Sequence, residues 1–409
     1  MNVFPENAFD LITSSENITH AYTDLVRKFD EESKAGRYRG VDGIKLNTLN
    51  FSSTEEIPVI RQEMRDLKKI RPAYMQTIPK KNGKKRKIFV YSIKERIKAE
   101  AIYRVLLPFF DSYFSPFLFS YRSSHPSYYA ARSATRRYKR YYGEDHVLVT
   151  DISDYADTID HDILLKKLLG LGLDARTLRL LELFIKTNTL EDGVLIERPR
   201  GVLTGTPLYA LLSNFYMDDF DKWAGKSVAL YRRVGDDIIA MDKDAKKVAH
   251  VGSELAKTVQ DLKVRLNTDK AKLIPSTQPF KFLGYSFRAG KISFDESSRN
   301  KALASWKRDI FSSRAKSVSA KMKHIRSLIM EGTDNFDNQF TQLIDQKRLV
   351  DDDAYMKQFS EKLFHMLTVY FKGRYTPKNR REVEPVLRKT GIRSLFEYYR
   401  EVRYPKKHV

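Results

Sequence analysis

The sequence predicts an α+β fold, and three observations predict it. Residues 228–244, VALYRRVGDDIIAMDKD, hold two β-prone runs around a Gly-Asp turn, the pattern of a hairpin. Residues 74–91, YMQTIPKKNGKKRKIFVY, repeat that pattern around Asn82-Gly83. Amphipathic helical stretches lie between these hairpins, and from about residue 296 to the end the chain reads as helical and basic.

With 409 residues, 42% of them hydrophobic, the chain is long enough for two or three domains around a sizeable core. It contains no cysteine, which excludes disulfides, zinc–thiolate sites and thiol catalysis. No apolar run is long enough to cross a bilayer. The opening MNVFPENAFDLITSSEN lacks the basic stretch of a signal peptide, so a cytoplasmic location without membrane contact is expected. The 74 Lys and Arg exceed the 52 Asp and Glu by 22, which points to a polyanionic partner. Many tyrosines stand beside arginines or lysines, as in YKRYY (138–142) and YYREVR (398–403). Basic side chains track phosphates and rings stack on bases, so nucleic acid is the expected partner.

Helices are expected over 17–35, 55–70 and 94–114. Residues 119–140 start as a loop and become a basic helix carrying Arg136, Arg137 and Lys139. HVLVT (146–150) reads as a buried strand ending at Asp151, followed by helices at 160–172, with Asp160 as N-cap, and at 175–188. A Thr204-Gly205-Thr206-Pro207 corner opens a helix over 208–221. After the central hairpin come a helix at 245–262 and strands at 280–287 and 291–294.

Asp236 and Asp237 at a hairpin tip repel each other and help no core. A pair of divalent ions would answer that repulsion, and a solvated Gly-Asp turn is the plainer account. Asp151, at another strand's end, supplies a third carboxylate from a distant piece of chain. The first hairpin's tip carries Lys80, Lys81, Lys84, Lys85, Arg86 and Lys87, a set able to clamp a triphosphate or simply to solubilise an edge.

At this point the chain resembles the reverse transcriptases, in particular the bacterial group II-intron-like and defence-associated branches. The resemblance covers about residues 37–290. It rests on Gly40-Val41-Asp42-Gly43 with IPKKNGKKRKIFV (78–90), on DISDYADTIDHDILL (151–165), and on GVLTGTPLYALLSN (201–214). VGDD (234–237), LNTDK (266–270) and FKFLGYSF (280–287) follow in the family's order. The resemblance implies a right-hand polymerase: an N-terminal and fingers region over 1–145, a palm of antiparallel sheet and helices over 146–295, and an all-helical thumb over 296–409. It implies DNA synthesis from deoxynucleoside triphosphates with Mg²⁺, or Mn²⁺, held by Asp151, Asp236 and Asp237. Lys81 and Arg86 would hold the triphosphate. Tyr155, Ala156, Thr204 and Gly205 would line the nucleotide, and Lys270 would be the general acid, unless it is an ordinary exposed lysine. Phe282, Leu283, Gly284 and Tyr285 would position the primer end. The partners would be an RNA template or structured noncoding RNA, its DNA product, and a second reverse transcriptase chain in a homo- or hetero-oligomer. A role in bacterial antiphage defence is expected from the same resemblance. Template-independent or ribonucleotide-using synthesis, and an RNA-binding maturase-like protein with an idle site, are the rival expectations.

The departures cluster around nucleotide and primer. Ala156 stands where the family has an aromatic against the ribose 2′-OH, with Tyr155 beside it and Tyr209 opposite as substitutes. Leu203-Thr204-Gly205 replaces Pro-Gln-Gly, Tyr209-Ala210 replaces Ser-Pro, and Val234 replaces a tyrosine. Tyr216-Met217-Asp218-Asp219 spells another motif of the family, but it falls in the phase of helix 208–221 and is read as that helix's polar end.

Overall fold

The computed structural model describes residues 4–29, 40–46, 56–79, 85–267, 271–312, 317–329, 348–389 and 394–403. The chain divides into two compact units, residues 1–130 with 146–273, and residues 131–145 with 274–409.

The core of the first unit forms along the helix Ile93–Tyr113. Ser92 caps it by accepting from the Glu95 amide at 3.3 Å, and Ile97, Ile102, Leu106 and Phe110 are buried along it. The helices Ala8–Ile12, Ser15–Lys28 and Leu208–Tyr216 pack on this pillar, with the rings of Phe110 and Phe215 edge to face at 5.4 Å. Lys98 is buried on the pillar between Glu63 at 2.7 Å and Glu95 at 3.1 Å, so its charge is compensated where water is absent.

Two sheets complete this unit. The strands β1 (Ala73–Pro79) and β2 (Lys85–Val90) form the basic hairpin, and β4 (Thr189–Glu191) and β5 (Val194–Ile196) extend it in the order β2-β1-β4-β5. The other sheet is built on β3 (His146–Ser153). The central hairpin, β6 (Leu230–Val234) and β7 (Asp237–Asp242), and β8 (Arg265–Leu266) flank it in the order β6-β7-β3-β8. Ile238, Ile239, Ala240 and Met241 are all buried, so β7 is covered on both faces and reads as a continuous apolar run.

Asp160 caps the helix His161–Leu169, accepting from the amides of Asp162 at 3.1 Å and Ile163 at 3.2 Å, as its sequence position predicts. The helix expected over 208–221 is instead two, Leu208–Tyr216 and Asp218–Ser227, which meet at Met217. The β4–β5 hairpin has no counterpart in the sequence expectations. Its strands are only three residues each, and Val194, Leu195 and Ile196 stay exposed, so no alternation of buried and exposed positions announces them.

In the second unit, β9 (Lys272–Pro275) runs in from the division. The strands β10 (Phe280–Phe282), β11 (Tyr285–Arg288) and β12 (Lys291–Phe294) then form a meander. Tyr138, on the helix Ser127–Arg140, is buried against it, edge to face with Phe280 at 5.5 Å and Phe287 at 5.2 Å. Burial pushes the Tyr138 phenol up to about 12. The helices Glu296–Phe311, Val318–Ile329, Asp353–Lys372, Pro377–Lys389 and Leu395–Arg403 complete the unit. Phe359 joins sheet to helices, 5.5 Å from Phe294 and 5.2 Å from Trp306. The expected break at 295/296 therefore falls inside a shared core, and the sheet groups with the helices.

The Asp160 cap carries a pH-dependent share of stability. Burial opposes its ionisation, but Lys263 at 2.9 Å and the backbone amides outweigh this and hold the carboxyl below its ordinary range. A lowered folded pKa contributes stability that is present above the unfolded value, near 3.9, and is lost as pH falls through the folded value. In urea melts, Asp160→Asn is expected to trail the parent near neutrality, and the gap to close as pH is lowered below about 4. A gap that stays constant to pH 3 would leave the Lys263 pair without a role.

Candidate active site

Asp151 lies on β3 directly opposite Asp237 on β7. Directly opposed residues of an antiparallel pair share one face of the sheet. The hairpin register pairs Val234 with Asp237, which leaves Gly235 and Asp236 as a two-residue loop. Gly235 has φ +64°, the left-handed conformation such a loop requires and a side chain resists. The Ile152 amide donates to the Asp236 carbonyl at 3.2 Å, and the Asn267 amide to the Asp151 carbonyl at 2.9 Å. The backbone on both sides of Asp151 is thus held. Asp151 is buried, Asp237 half-buried and Asp236 exposed, so the three carboxylates step outward from the sheet.

The donor set is carboxylate oxygen, the chemistry of hard divalent ions. Among the described residues no three Asp, Glu, His or Cys side chains form a ready-made metal cage. Magnesium ordinarily takes only one or two carboxylates, its other positions being water and substrate phosphate, so the strand-end aspartates fit it without a full cage.

The turn before the helix Leu208–Tyr216 is pressed against β2. A Cβ on Gly205, where φ is +105°, would come within 2.2 Å of the Phe89 carbonyl oxygen, so only glycine fits. The Thr204 hydroxyl beside it is shielded from solvent with no hydrogen-bond partner among the described residues. The short helix Tyr155–Thr158 and its C-cap Ile159, which follow β3, are laced to this turn: the Val202 amide donates to the Ala156 carbonyl at 2.9 Å, and the Gly201 amide to the Ile159 carbonyl at 2.7 Å. Ala156, Thr204 and Gly205 are therefore brought to one region.

Tyr155 corrects the sequence expectation. Its ring is buried and its hydroxyl donates to the Ser213 carbonyl at 2.6 Å, so it faces the core and cannot line a nucleotide. Burial raises its pKa. Tyr209 stays half-buried, edge to face with Tyr121 at 5.9 Å. Tyr121 is 54% exposed on a left-handed backbone, φ +56°, a conformation rare for an aromatic residue.

The second aspartate pair has other work. Asp218 is buried where the two helices meet; its carboxylate accepts from the Ser115 amide at 2.7 Å and pairs with Lys222 at 2.6 Å. Burial pushes its pKa up against the pull of Lys222. Asp219 pairs with Lys167.

Lys81 and Lys270 lie outside the described residues, and Arg86 is placed as a residue of β2 opposite Ile78. In the second unit, Leu283 and Gly284 form the tight β10–β11 turn with φ +49° and +75°, while Phe282 and Tyr285 flank it buried. Only the two turn residues are presented outward. The basic helix is also corrected. Arg137 pairs with buried Asp145 at 2.7 Å, and Lys139 pairs with Asp351, so both are structural. Arg136, Lys139 and Arg140 are the exposed basic residues there, and of these Lys139 is held by Asp351.

Sequence reasoning missed Arg233. It is fully buried, its guanidinium paired with Asp221 through Nε–Oδ1 at 2.8 Å and Nη2–Oδ2 at 2.6 Å. Burial alone would disfavour its charge; Asp221 outweighs this and holds Arg233 protonated. The signal was available. Tyr231 is core-facing, and strand period two puts Arg233 on the same face. An inward arginine requires a buried carboxylate.

The reverse transcriptase (RNA-dependent DNA polymerase) family model matches residues 78–287, and the chain belongs to this family. The family is that of the RNA-dependent DNA polymerases, and the mixed helix-and-sheet structure is the α+β fold expected of it. Reverse transcriptase domains generally work with divalent metal ions. Protein YkfC of Escherichia coli (strain K12) is 27% identical over 292 residues, 62% of this chain and 76% of that protein. Telomerase from Candida albicans, solved with a TWJ fragment of telomeric RNA, is 15% identical with a TM-score of 0.43, over 85% of this chain and 65% of that one. Apo telomerase from Candida tropicalis gives 13% and 0.46, over 82% and 65%. This chain thus spans just under two thirds of either telomerase chain. No helix among the described residues is long and apolar enough to cross a membrane.

Asp218→Ala is expected to lower stability by about 1–3 kcal/mol, because it strands the buried Ser115 amide. Asp218→Asn keeps an acceptor and should cost visibly less. Equal denaturant midpoints for the two variants would show that the Ser115 bond contributes nothing.

Proposed function

We propose that this reverse transcriptase extends a primer with deoxynucleoside triphosphates, Asp151 and Asp236 holding divalent ions, magnesium or manganese, and Asp237 completing the acidic face. The observation that carries the reading is the strand register that sets Asp151 opposite Asp237 with Asp236 at the turn. When bound, the ions supply charge neutralisation at the triphosphate and activation of the primer hydroxyl. The chain's own part is to hold the carboxylates on rigid strand ends and to seat the nucleotide against the Ala156 and Gly205 backbones. Lys81 and Arg86 on the basic hairpin would steady the phosphates, Lys270 would protonate the departing pyrophosphate, and the Leu283-Gly284 turn would meet the primer. The template would be RNA, a structured noncoding RNA in the defence setting to which the sequence branch points. Cytoplasmic location and pairing with a second reverse transcriptase chain belong to the same proposal.

Asp236→Asn combined with Asp237→Asn is expected to abolish metal-dependent incorporation on an RNA template while leaving the melting temperature unchanged or higher, since crowded carboxylates repel. Asp218→Asn with Asp219→Asn should keep most of the activity. The opposite pattern would move the site to residues 218–219. Sequencing the nucleic acid that copurifies with the protein, and the product made from it, tests the noncoding RNA; random cellular RNA would sink that part.

Binding should weaken with salt through counterion release. Arg136→Glu with Arg140→Glu is expected to lower affinity across sequences and reduce the slope of log affinity against log salt by about 1–2. An unchanged slope would take that helix out of the interface.

The sugar pocket gives the last expectation. Ala156 has no ring to overlap a 2′-OH, and Tyr155 is turned into the core. Discrimination against ribonucleotides is therefore expected to be weak, to fall further on Tyr209→Ala, and to rise on Ala156→Phe unless the ring blocks the site. Single-nucleotide incorporation with each deoxynucleotide and its ribo counterpart measures this. Strong deoxy selectivity that survives Tyr209→Ala would refute it.

A further inference from the structure

Beneath the Gly235–Asp236 turn lies a buried polar cluster that touches no reacting atom. Arg233 Nη1 donates to the Gly235 carbonyl at 3.0 Å, the carbonyl that precedes Asp236. Its Nη2 donates to the Asn214 carbonyl at 3.0 Å, near the end of the helix Leu208–Tyr216. The last carbonyls of a helix have no partner within it, and a cation there also answers the helix dipole. One residue earlier, the Ser213 carbonyl accepts the Tyr155 hydroxyl at 2.6 Å. Nε and the second hydrogen of Nη2 go to Asp221, whose Oδ1 also accepts from the Tyr231 hydroxyl at 2.7 Å. The backbone is fixed too: the Arg233 amide donates to the Phe117 carbonyl at 3.1 Å, and the Phe119 amide to the Arg233 carbonyl at 2.8 Å. The Asn214 side chain is spent on Ser120, both bonds 2.7 Å.

We infer that Arg233, held by Asp221, is a positioning residue that locks the Asp236 turn to the helix following the Gly205 corner, and so sets the spacing between carboxylate and nucleotide. This rests on the assignment of Asp236 as a metal-holding residue. The planar fork is what the geometry uses. It reaches the Gly235 carbonyl, the Asn214 carbonyl and a carboxylate at once, which a lysine ammonium on a single flexible stem cannot do. The left-handed glycine and the Ile152 amide bond to the Asp236 carbonyl hold the same turn from the sheet side.

Arg233→Ala would leave Asp221 as an uncompensated buried charge and endanger the fold, so two gentler variants carry the test. Arg233→Lys keeps a charge beside Asp221. The triple variant Arg233→Met, Asp221→Leu, Tyr231→Phe removes the cluster as a whole and replaces it with apolar volume, a change that buried ion pairs often tolerate. In both, kcat for primer extension is expected to fall roughly 10- to 100-fold, the scale of a misplaced reacting group. Binding of Mn²⁺ to the protein without substrate, read by electron paramagnetic resonance, should weaken several-fold, the magnesium concentration for half-maximal rate should rise with it, and KM for the nucleotide should move much less. Asp236→Asn serves as the control. If Asp236→Asn stays active, the assignment of the site is at fault. If it is inactive while a folded lock variant keeps the parent's kcat and magnesium requirement, the lock is refuted. A loss of active fraction with unchanged magnesium requirement would make the cluster merely structural and equally overturn the inference.

Discussion

The first unit depends on one buried ion pair, Arg233 with Asp221, both fully out of water. Desolvating two charges costs several kcal/mol for each, and their attraction offsets this only when every remaining donor and acceptor is satisfied. Here four of the five guanidinium N–H groups donate to named acceptors. The guanidinium reaches Asp221 and the carbonyls of Gly235 and Asn214, and the Tyr231 hydroxyl completes the carboxylate. Such a pair adds little net stability over well-packed apolar side chains, yet losing one partner costs about 3–5 kcal/mol. What it contributes is therefore arrangement. It ties together the strand that leads to Asp236, the helix that follows Gly205 and the helix Asp218–Ser227 that carries Asp221.

The same economy explains why the site is made of turns. Three carboxylates cannot be crowded in a folded interior without cost, so the fold places them at strand ends that step from buried Asp151 to exposed Asp236. Glycine serves both turns, in different ways. Gly235 supplies a left-handed loop position, and Gly205 lets the backbone meet the Phe89 carbonyl where a methyl group would collide. Rigid strands on one side and a glycine corner on the other leave little for the chain to adjust when a nucleotide arrives, which is how catalytic groups are kept near a productive geometry.

The hairpins, the buried strand before Asp151 and the Asp160 cap were legible because each has a local physical cause: alternation, an apolar run, a side chain that accepts helix amides. The order of motifs made the family legible as well. What was hidden depends on partners far along the chain. Tyr155 looked like a substitute gate because sequence shows its neighbour Ala156 but not the Ser213 carbonyl, 58 residues on, that draws it inward. Arg137 and Lys139 looked like phosphate contacts until Asp145 and Asp351 claimed them. The break at Met217 was invisible because the helical phase continues on both sides, while the Ser115 amide that engages Asp218 comes from about a hundred residues earlier. The β4–β5 strands are too short and too exposed to have a period.

Those corrections bear on how the positive charge is to be used. Assigning function to a particular basic residue from sequence fails whenever the fold supplies it an acid, as it does for Arg137 and Lys139. The excess itself is immune to that error. Each one-to-one ion pair removes one base and one acid, so no amount of internal pairing can consume the difference of 74 and 52. A surplus of 22 cations must face solvent or a ligand, because burying an unpaired charge costs far more than the fold can offset. The net charge is thus sound evidence for a polyanionic partner even though several of the residues first offered as its agents are not. The field belongs to the whole surface, and the individual contact has to be read from which bases the fold leaves uncommitted.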